Sequence, residues 1–441
     1  VPPASDVPAP SRDPGSSRDP GSFRGLGVPP ALVSALVQRG ITAPFPIQSA
    51  TLPDALAGRD VCGRAPTGAG KTLAFGLAVL SRLGAEPHAP RRARRLPSAL
   101  VLVPTRELAA QIEADLAPLA ASLGARAASF YGGVGYGMQL AALRRGVDVL
   151  IACPGRLTDL VERASVDLSS VAIVVVDEAD RMADMGFLPA VRRLIDRTRS
   201  RRQVLLFSAT LDGPVDRLIR DYQHDPVRHE VRPTPVDRGA VHHHFWRVER
   251  EHRVAVTAQT IAARGPALVF CRTKRGADRL SQRLSRAGLQ AAAIHGDRSQ
   301  GQRERALASF RSGRLDALVA TDVAARGIHV AGVPLVVHFD PPADATDYVH
   351  RAGRTGRAGA NGIVVTLVGE EHAAGAEQLQ KALGLSSRIS SPDVLALPAF
   401  ELACRLRAEQ ASLQRAPRRR PRASRSRRAG SPPAASSRPA P

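Results

Sequence analysis

The chain has 441 residues, 44% of them apolar, and 62 lysines and arginines against 40 acids, a formal net charge of +22. That length suits two or three packed domains, and the excess of base points to a polyanionic partner. Four widely spaced cysteines without a CxxC pair (Cys62, Cys153, Cys271, Cys404) argue against a disulfide framework or zinc ribbon and fit a reducing cytoplasmic setting, and no apolar run reaches the ~20 residues that span a bilayer.

Residues 1–22 lack a hydrophobic signal core and read as a disordered leader. From Phe23 the text alternates β-rich runs with helical stretches, and a first domain is expected over 23–230. Its strands are predicted at 60–65, 99–103, 147–152, 171–176 and 203–209, with an amphipathic helix at 107–123. Polar, proline-bearing text from 228 to 239 interrupts the pattern, and the linker is set at 231–240. A second domain over 241–385 repeats the alternation, with strands predicted at 266–271, 291–296, 316–321, 334–339 and 362–367. Such alternation implies an α/β fold, two tandem domains each built on a parallel sheet. Residues 386–414 form a short extension with a helix expected over 398–414. Residues 415–441 hold nine arginines and no acid, and read as a disordered tail suited to tether the core to a polyanion.

Three stretches carry chemistry. In APTGAGKT (65–72), small residues free backbone N–H groups to wrap phosphate oxygens at a helix N-terminus. Lys71 would reach the β- and γ-phosphates and Thr72 would ligate Mg²⁺. VAIVVVDEAD (171–180) is an apolar run that ends in Asp177, Glu178 and Asp180. Carboxylates at the end of a buried strand persist where a cation neutralises them. Asp177 is the expected Mg²⁺ partner, and Glu178 would orient or deprotonate an attacking water. In HRAGRTGRAG (350–359), Arg354 and Arg357 either converge on a transferring phosphate or form a basic surface for nucleic-acid phosphates. Spacing alone leaves both readings open. His242, His243 and His244 alternate faces on a strand and read as the opening of the second domain rather than as a metal site. The loop bearing Arg91, Arg92, Arg94 and Arg95 is either solvated charge or a contact for a polyanion.

In order along residues 23–370 the chain carries Phe23, GITAPFPIQ (40–48), APTGAGKT, PTRELA (104–109), Gly132-Gly133, CPGR (153–156), DEAD (177–180) and SAT (208–210). LVFCRT (268–273), HGD (295–297) with Gln300 and Arg303, TDVAARGIHV (321–330) and HRAGRTGR (350–357) follow. With these motifs it resembles the DEAD-box ATP-dependent RNA helicases of superfamily 2, bacterial type. The resemblance implies two RecA-like domains that close around ATP and RNA, and RNA-stimulated ATP hydrolysis coupled to local, non-processive unwinding or RNP remodelling. It places the nucleotide against Phe23, Gln48, Thr67, Gly68, Ala69, Gly70, Lys71 and Thr72, with Mg²⁺ at Thr72 and Asp177. Arg354 and Arg357 become arginine fingers. RNA would meet Thr105, Arg106, Gly133, Gly155 and Arg156 in the first domain, and Arg272, Gly296, Asp297 and Thr321 in the second. Asp180, Ser208, Thr210 and His350 would couple hydrolysis to domain closure. A monomer is expected, with ribosome-assembly or RNA-decay proteins as its further partners.

Four positions depart from the family pattern. Ile41 stands where an aromatic is usual, Phe45 where a hydroxyl residue is usual, Cys153 for Thr, and His329 for an Asp that contacts the ATP ribose. Adenine stacking is then expected to weaken or to fall to Phe23. Two other readings compete with the helicase: a nucleotide-gated RNA clamp with little unwinding, and a DNA helicase on the same paired domains.

Overall fold

The computed structural model of the protein describes residues 21–66, 68–85, 96–231, 240–325, 332–356, 360–385 and 387–398. Outside them lie the leader up to residue 20, Thr67, Arg91, Arg92, Arg94, Arg95, linker residues 232–239, His329, Arg357, and the helix and tail expected beyond 398.

Seven strands build a first sheet: β1 (Val61–Arg64), β2 (Ala99–Leu102), β3 (Ala127–Phe130), β4 (Val149–Ala152), β5 (Ile173–Asp177), β6 (Gln203–Ser208) and β7 (Val227–Glu230). Their order is β3-β4-β2-β5-β6-β1-β7, every ladder parallel. Helices cover both faces, so the central strands must be apolar on both sides. ALVL in β2, VLIA in β4 and IVVVD in β5 are accordingly buried at every residue.

A second sheet contains β8 (Val241–Arg247), β9 (Ala267–Phe270), β10 (Ala291–Ile294), β11 (Ala317–Ala320), β12 (Leu335–His338), β13 (Gly362–Val368) and β14 (Ile389–Ser390). Its order, β10-β11-β9-β12-β13-β8-β14, repeats the first with seven added to each number. The chain is thus a tandem of two RecA-like domains. The strands expected from apolar runs all form, and the helix expected over 107–123 is Arg106–Ser122.

Three strands escaped the sequence pattern: β3, β7 and β14. All lie at sheet edges, where partial exposure removes the demand for an unbroken apolar run. β7 also corrects the reading of 228–230 as linker text, because Arg228, His229 and Glu230 pair with Cys62, Gly63 and Arg64 of β1.

In each open parallel sheet the carboxyl ends of the strands form the crevice that takes ligands. The order sets β6 between β1 and β5, with Ser208 beside Arg64 and Phe207 beside Asp177. The SAT strand therefore touches both the strand that feeds the phosphate loop and the strand that ends in carboxylates.

Candidate active site

β1 runs into the glycine turn, and the helix Lys71–Ala85 starts at its lysine. Gly70 sits at φ +85°, and a Cβ there would lie 2.6 Å from Gln48 Nε2 and 2.6 Å from Phe45 Cδ2. Only glycine lets the loop pass beneath these two side chains. Gln48, 1% exposed, accepts from the Phe45 N–H (2.9 Å) and donates to the Gly70 carbonyl (2.9 Å). It thereby closes the first turn of the helix Pro46–Leu56 and ties that turn to the phosphate loop. One N–H of its amide remains for a base edge. Lys71 is buried and donates to the Ala65 carbonyl at 3.0 Å, so the loop folds back on its own cation.

A cavity of about 200 Å³ opens on this loop. Among its lining residues are Gln48, Gly68, Gly70, Lys71, Thr72, Asp177 and Glu178, so the phosphate loop and the two leading carboxylates share one space. Ala69 and Arg354 are not in its lining. Phe23 is not there either: it is 2% exposed and packs in the first domain's core with Leu26 and Val28. The expected stacking of Phe23 on a base is thereby corrected, since a ring without free surface has no face to offer. The aromatic in the lining is Phe45, 58% exposed, with Arg39 and Ile41 beside it.

Asp177 is 2% exposed, and burial pushes its carboxyl up to about 7 against the pull of Lys71, with the charges of Glu178 and Asp180 adding to the rise. A buried acid crowded by two like charges and opposed by one lysine is a donor set short of positive charge, which suits a hard divalent cation. Thr72 and Asp177 fit Mg²⁺ on this ground. Glu178 takes the left-handed conformation (φ 53°, ψ 49°) at the head of the helix Ala179–Asp184, a strained turn for a residue with a side chain. Its Oε2 accepts from Arg181 Nη1 at 2.8 Å, both side chains being buried.

Asp180 joins the carboxylate turn to the SAT segment. Its N–H donates to Ser208 Oγ (3.2 Å), and its Oδ2 accepts from the N–H groups of Ala209 (3.2 Å) and Thr210 (3.3 Å). Three hydrogen bonds thus tie the DEAD turn to the strand end after β6.

The expected RNA residues fall into two groups. In the first domain Thr105 caps the helix Arg106–Ser122 through the Leu108 N–H. Arg106 lies so close over Gly133 (φ +81°) that a Cβ there would stand 1.9 Å from its guanidinium. Arg156 is aimed by three contacts: Gln139 Oε1 at 2.9 Å, the Val134 carbonyl at 3.2 Å, and the Tyr136 ring, whose centroid is 4.2 Å away. Gly155 faces open space. In the second domain Lys274 pairs with Asp297 at 2.6 Å and passes 3.6 Å from where a Gly296 Cβ would be. The Arg272 N–H donates to Asp340 (2.8 Å), and Thr321 precedes the helix Asp322–Ala325.

The two domains meet through a buried ion pair. Arg303 Nη2 lies 2.9 Å from Glu107 Oε1, with side chains 8% and 6% exposed. Burial and the nearby Arg106 pull the Arg303 guanidinium down while Glu107 opposes them. The motif carrying Arg354 and His350 is anchored by its neighbour Arg351, which makes a two-pronged contact with Asp322 (2.6 and 2.8 Å) and donates to the Asp340 carbonyl (2.8 Å). Arg354 is 3% exposed, and its carbonyl accepts from Gly332 and Val333.

A family model described as DEAD/DEAH box helicase matches residues 45–218, and one described as helicase conserved C-terminal domain matches residues 251–359. The chain belongs to the DEAD-box helicase family. It is 40% identical over 373 residues to DEAD-box ATP-dependent RNA helicase 30 of Arabidopsis thaliana, covering 84% of this chain and 63% of that protein. It is 44% identical over 349 residues to ATP-dependent RNA helicase RhlB of Xanthomonas campestris pv. campestris, covering 78% and 61%. The chain thus spans less than two thirds of the length of these relatives. Among solved structures, S. cerevisiae Dbp5 bound to RNA and ADP BeF3 matches with a TM-score of 0.72 at 26% identity, covering 89% of this chain and 100% of that one.

Sequence reasoning about this DEAD-box chain missed the residues that hold other residues in place. Glu107, Arg181, Arg351 and Gln139 stand inside or beside recognised motifs, and spacing gave no sign of their partners. Arg39 had a faint signal, a charge beside the glutamine motif. It donates to the Asp115 carbonyl at 2.6 Å at the cavity's edge.

Proposed function

We propose that the protein is an RNA-stimulated ATPase that separates short RNA duplexes or remodels RNA–protein complexes locally, without travelling along the strand. The observation that carries this reading is the buried Glu107–Arg303 pair. It fastens the PTRELA segment of the first domain to the second, so that strand contact and domain closure are one event. Lys71 holds the β- and γ-phosphates. Glu178 orients or deprotonates the attacking water, and Arg354 and Arg357 stabilise charge on the γ-phosphate. Thr72 and Asp177 would hold Mg²⁺, which would supply charge neutralisation at the phosphates. Asp180 passes the change to Ser208 and Thr210. RNA lies across both domains on sugar and phosphate, from Thr105, Arg106, Gly133, Gly155 and Arg156 to Arg272, Gly296, Asp297 and Thr321. The protein works in the cytoplasm as a monomer, among ribosome-assembly or RNA-decay proteins.

ATP turnover measured with RNA and with DNA of the same sequence, alongside strand release from a short RNA duplex, tests this reading. RNA should stimulate turnover and ATP should drive release. Stimulation by DNA alone would overturn the RNA assignment, and RNA binding without strand release would make the protein a nucleotide-gated clamp.

A further inference from the structure

The helix Lys274–Arg286 sorts its residues sharply. Ala277, Leu280, Ser281 and Leu284 face the second domain's core, while Lys274, Arg275, Arg279, Arg283 and Arg286 are exposed. Arg275, Arg279, Arg283 and Arg286 follow at steps of four, four and three, which keeps them within about 80° of one helix face, roughly 6 Å apart along the axis for each four-residue step. The helix holds one acid, Asp278, and its carboxylate is taken by His295 (2.9 Å) and Arg298. Among the described residues none of those four arginines makes an ion pair.

Composition bias does not account for this. The outward face of the helix Pro214–Tyr222 alternates signs and pairs Arg220 with Asp216 at 3.3 Å. Helix stability does not account for it either. Arg283 and Arg286 suit the negative end of the helix dipole, but Lys274 and Arg275 sit at its positive end with no acid in the first turn. Lys274 there has Asp297 as its partner, but Arg275, placed against the dipole, has no ion pair among the described residues, and with Arg279, Arg283 and Arg286 it marks a surface that waits for anions.

One end of the stripe adjoins the expected RNA path, since Lys274 contacts Asp297 and passes Gly296. The other end leads away from the cleft by about 16 Å. A straight row of fixed cations on a rigid helix suits a stiff polyanion with charge every ~3.4 Å of axis on each strand. We infer that this face of the second domain docks the phosphate backbone of an RNA duplex flanking the strand in the cleft. The inference rests on the RNA reading above.

The test uses the full chain with three substitutions, Arg279→Gln, Arg283→Gln and Arg286→Gln, and three probes: a blunt RNA hairpin, a short single strand, and the hairpin with a single-stranded end. Affinity for both hairpins should fall about tenfold at moderate salt, and the slope of log affinity against log salt should drop by roughly two to three. Affinity for the short single strand, and the ATP turnover it stimulates, should stay at the parent's level. The corresponding triple Arg→Lys variant should restore hairpin binding, which separates charge from damage to the fold. Unchanged hairpin affinity overturns the inference. So does an equal loss for the short single strand, or an equal loss from Arg193→Gln, Arg197→Gln and Arg199→Gln on the first domain. A parent whose turnover ignores RNA, yet whose hairpin binding falls with the triple variant, would break the proposed function and leave the docking face standing.

Discussion

Laid rung on rung, the two sheets differ where their strands end and nowhere in their wiring. β5 and β12 hold the same place, Val176 beside Leu102 and His338 beside Phe270. The next residue is Asp177 in the first sheet and Phe339 in the second. β1 leads into a glycine turn whose N–H groups suit phosphate, whereas β8 leads into Glu249, Arg250, Glu251 and His252. Two glutamates at a helix N-terminus occupy the place where phosphate would bind. The scaffold is indifferent to chemistry, and a few turn residues decide which copy holds the triphosphate. The second copy offers cations instead: Arg354 inside, the arginine stripe outside.

The sharpest way to test that division is to remove one atom's chemistry from the first sheet. Glu178→Gln should lower ATP turnover about a thousandfold while leaving ATP and RNA binding intact. Turnover close to that of the parent would take the water-activating role away from Glu178. A change of comparable size in the second sheet's Phe339 would break the comparison itself.

The join comes next. Arg303→Gln leaves Glu107 buried without its partner, a change that typically costs about 3–5 kcal/mol when a buried pair is broken. Here the loss should appear as weaker RNA binding in the presence of ATP, with ATP binding by the first domain unaffected. Glu107→Gln alone should behave similarly, and the double variant should recover part of the loss. Independent, additive losses would show that the pair does not hold the domains together.

How much of this was legible beforehand follows from what sequence encodes locally. The buried strands announced themselves because a sheet covered on both faces needs runs such as IVVV. β3 and β7 did not, because edge strands obey no such rule. The nearness of Lys71, Asp177 and Glu178 in one cavity was foreshadowed because each sits in a short motif with a definite spacing. Phe23 misled because an aromatic near a motif looks the same in text whether its ring is in a pocket or in the core. Glu107 and Arg303 are nearly two hundred positions apart, so nothing local announces their contact.

A third change touches only the second core. His338 is fully buried beside Arg351 and His243, and it shares a hydrogen bond with Thr366 (3.0 Å). Burial holds its imidazole well below the ordinary 6.5, and His243 and His244 are depressed as well. The unfolded chain therefore binds more protons than the folded one, so stability is complete above pH 6.5 and falls as pH drops below it. His338, held neutral throughout, contributes a slope approaching about 1.4 kcal/mol per pH unit below that window's top, and the half-buried His243 and His244 add less. Thermal unfolding should show a falling Tm from pH 7 to pH 5, and His338→Gln should flatten that fall. A pH-independent Tm would mean that these imidazoles titrate in the fold as they do in the unfolded chain.

The smallest effect tests the residue by which this chain departs most visibly at its nucleotide cavity. Phe45 lies on Gly70, lines the cavity and is more than half exposed, while Phe23 is locked in the core. An exposed ring beside Gln48 is positioned to stack on a base, an interaction of about 1 kcal/mol. Phe45→Thr should then weaken ADP binding about fivefold, and Phe45→Tyr should leave it unchanged. Inorganic tripolyphosphate, which has no base, should bind the parent and both variants equally. Equal weakening of tripolyphosphate would assign Phe45 to the support of the phosphate loop, and the first sheet would then grip its ligand by phosphate and Gln48 alone.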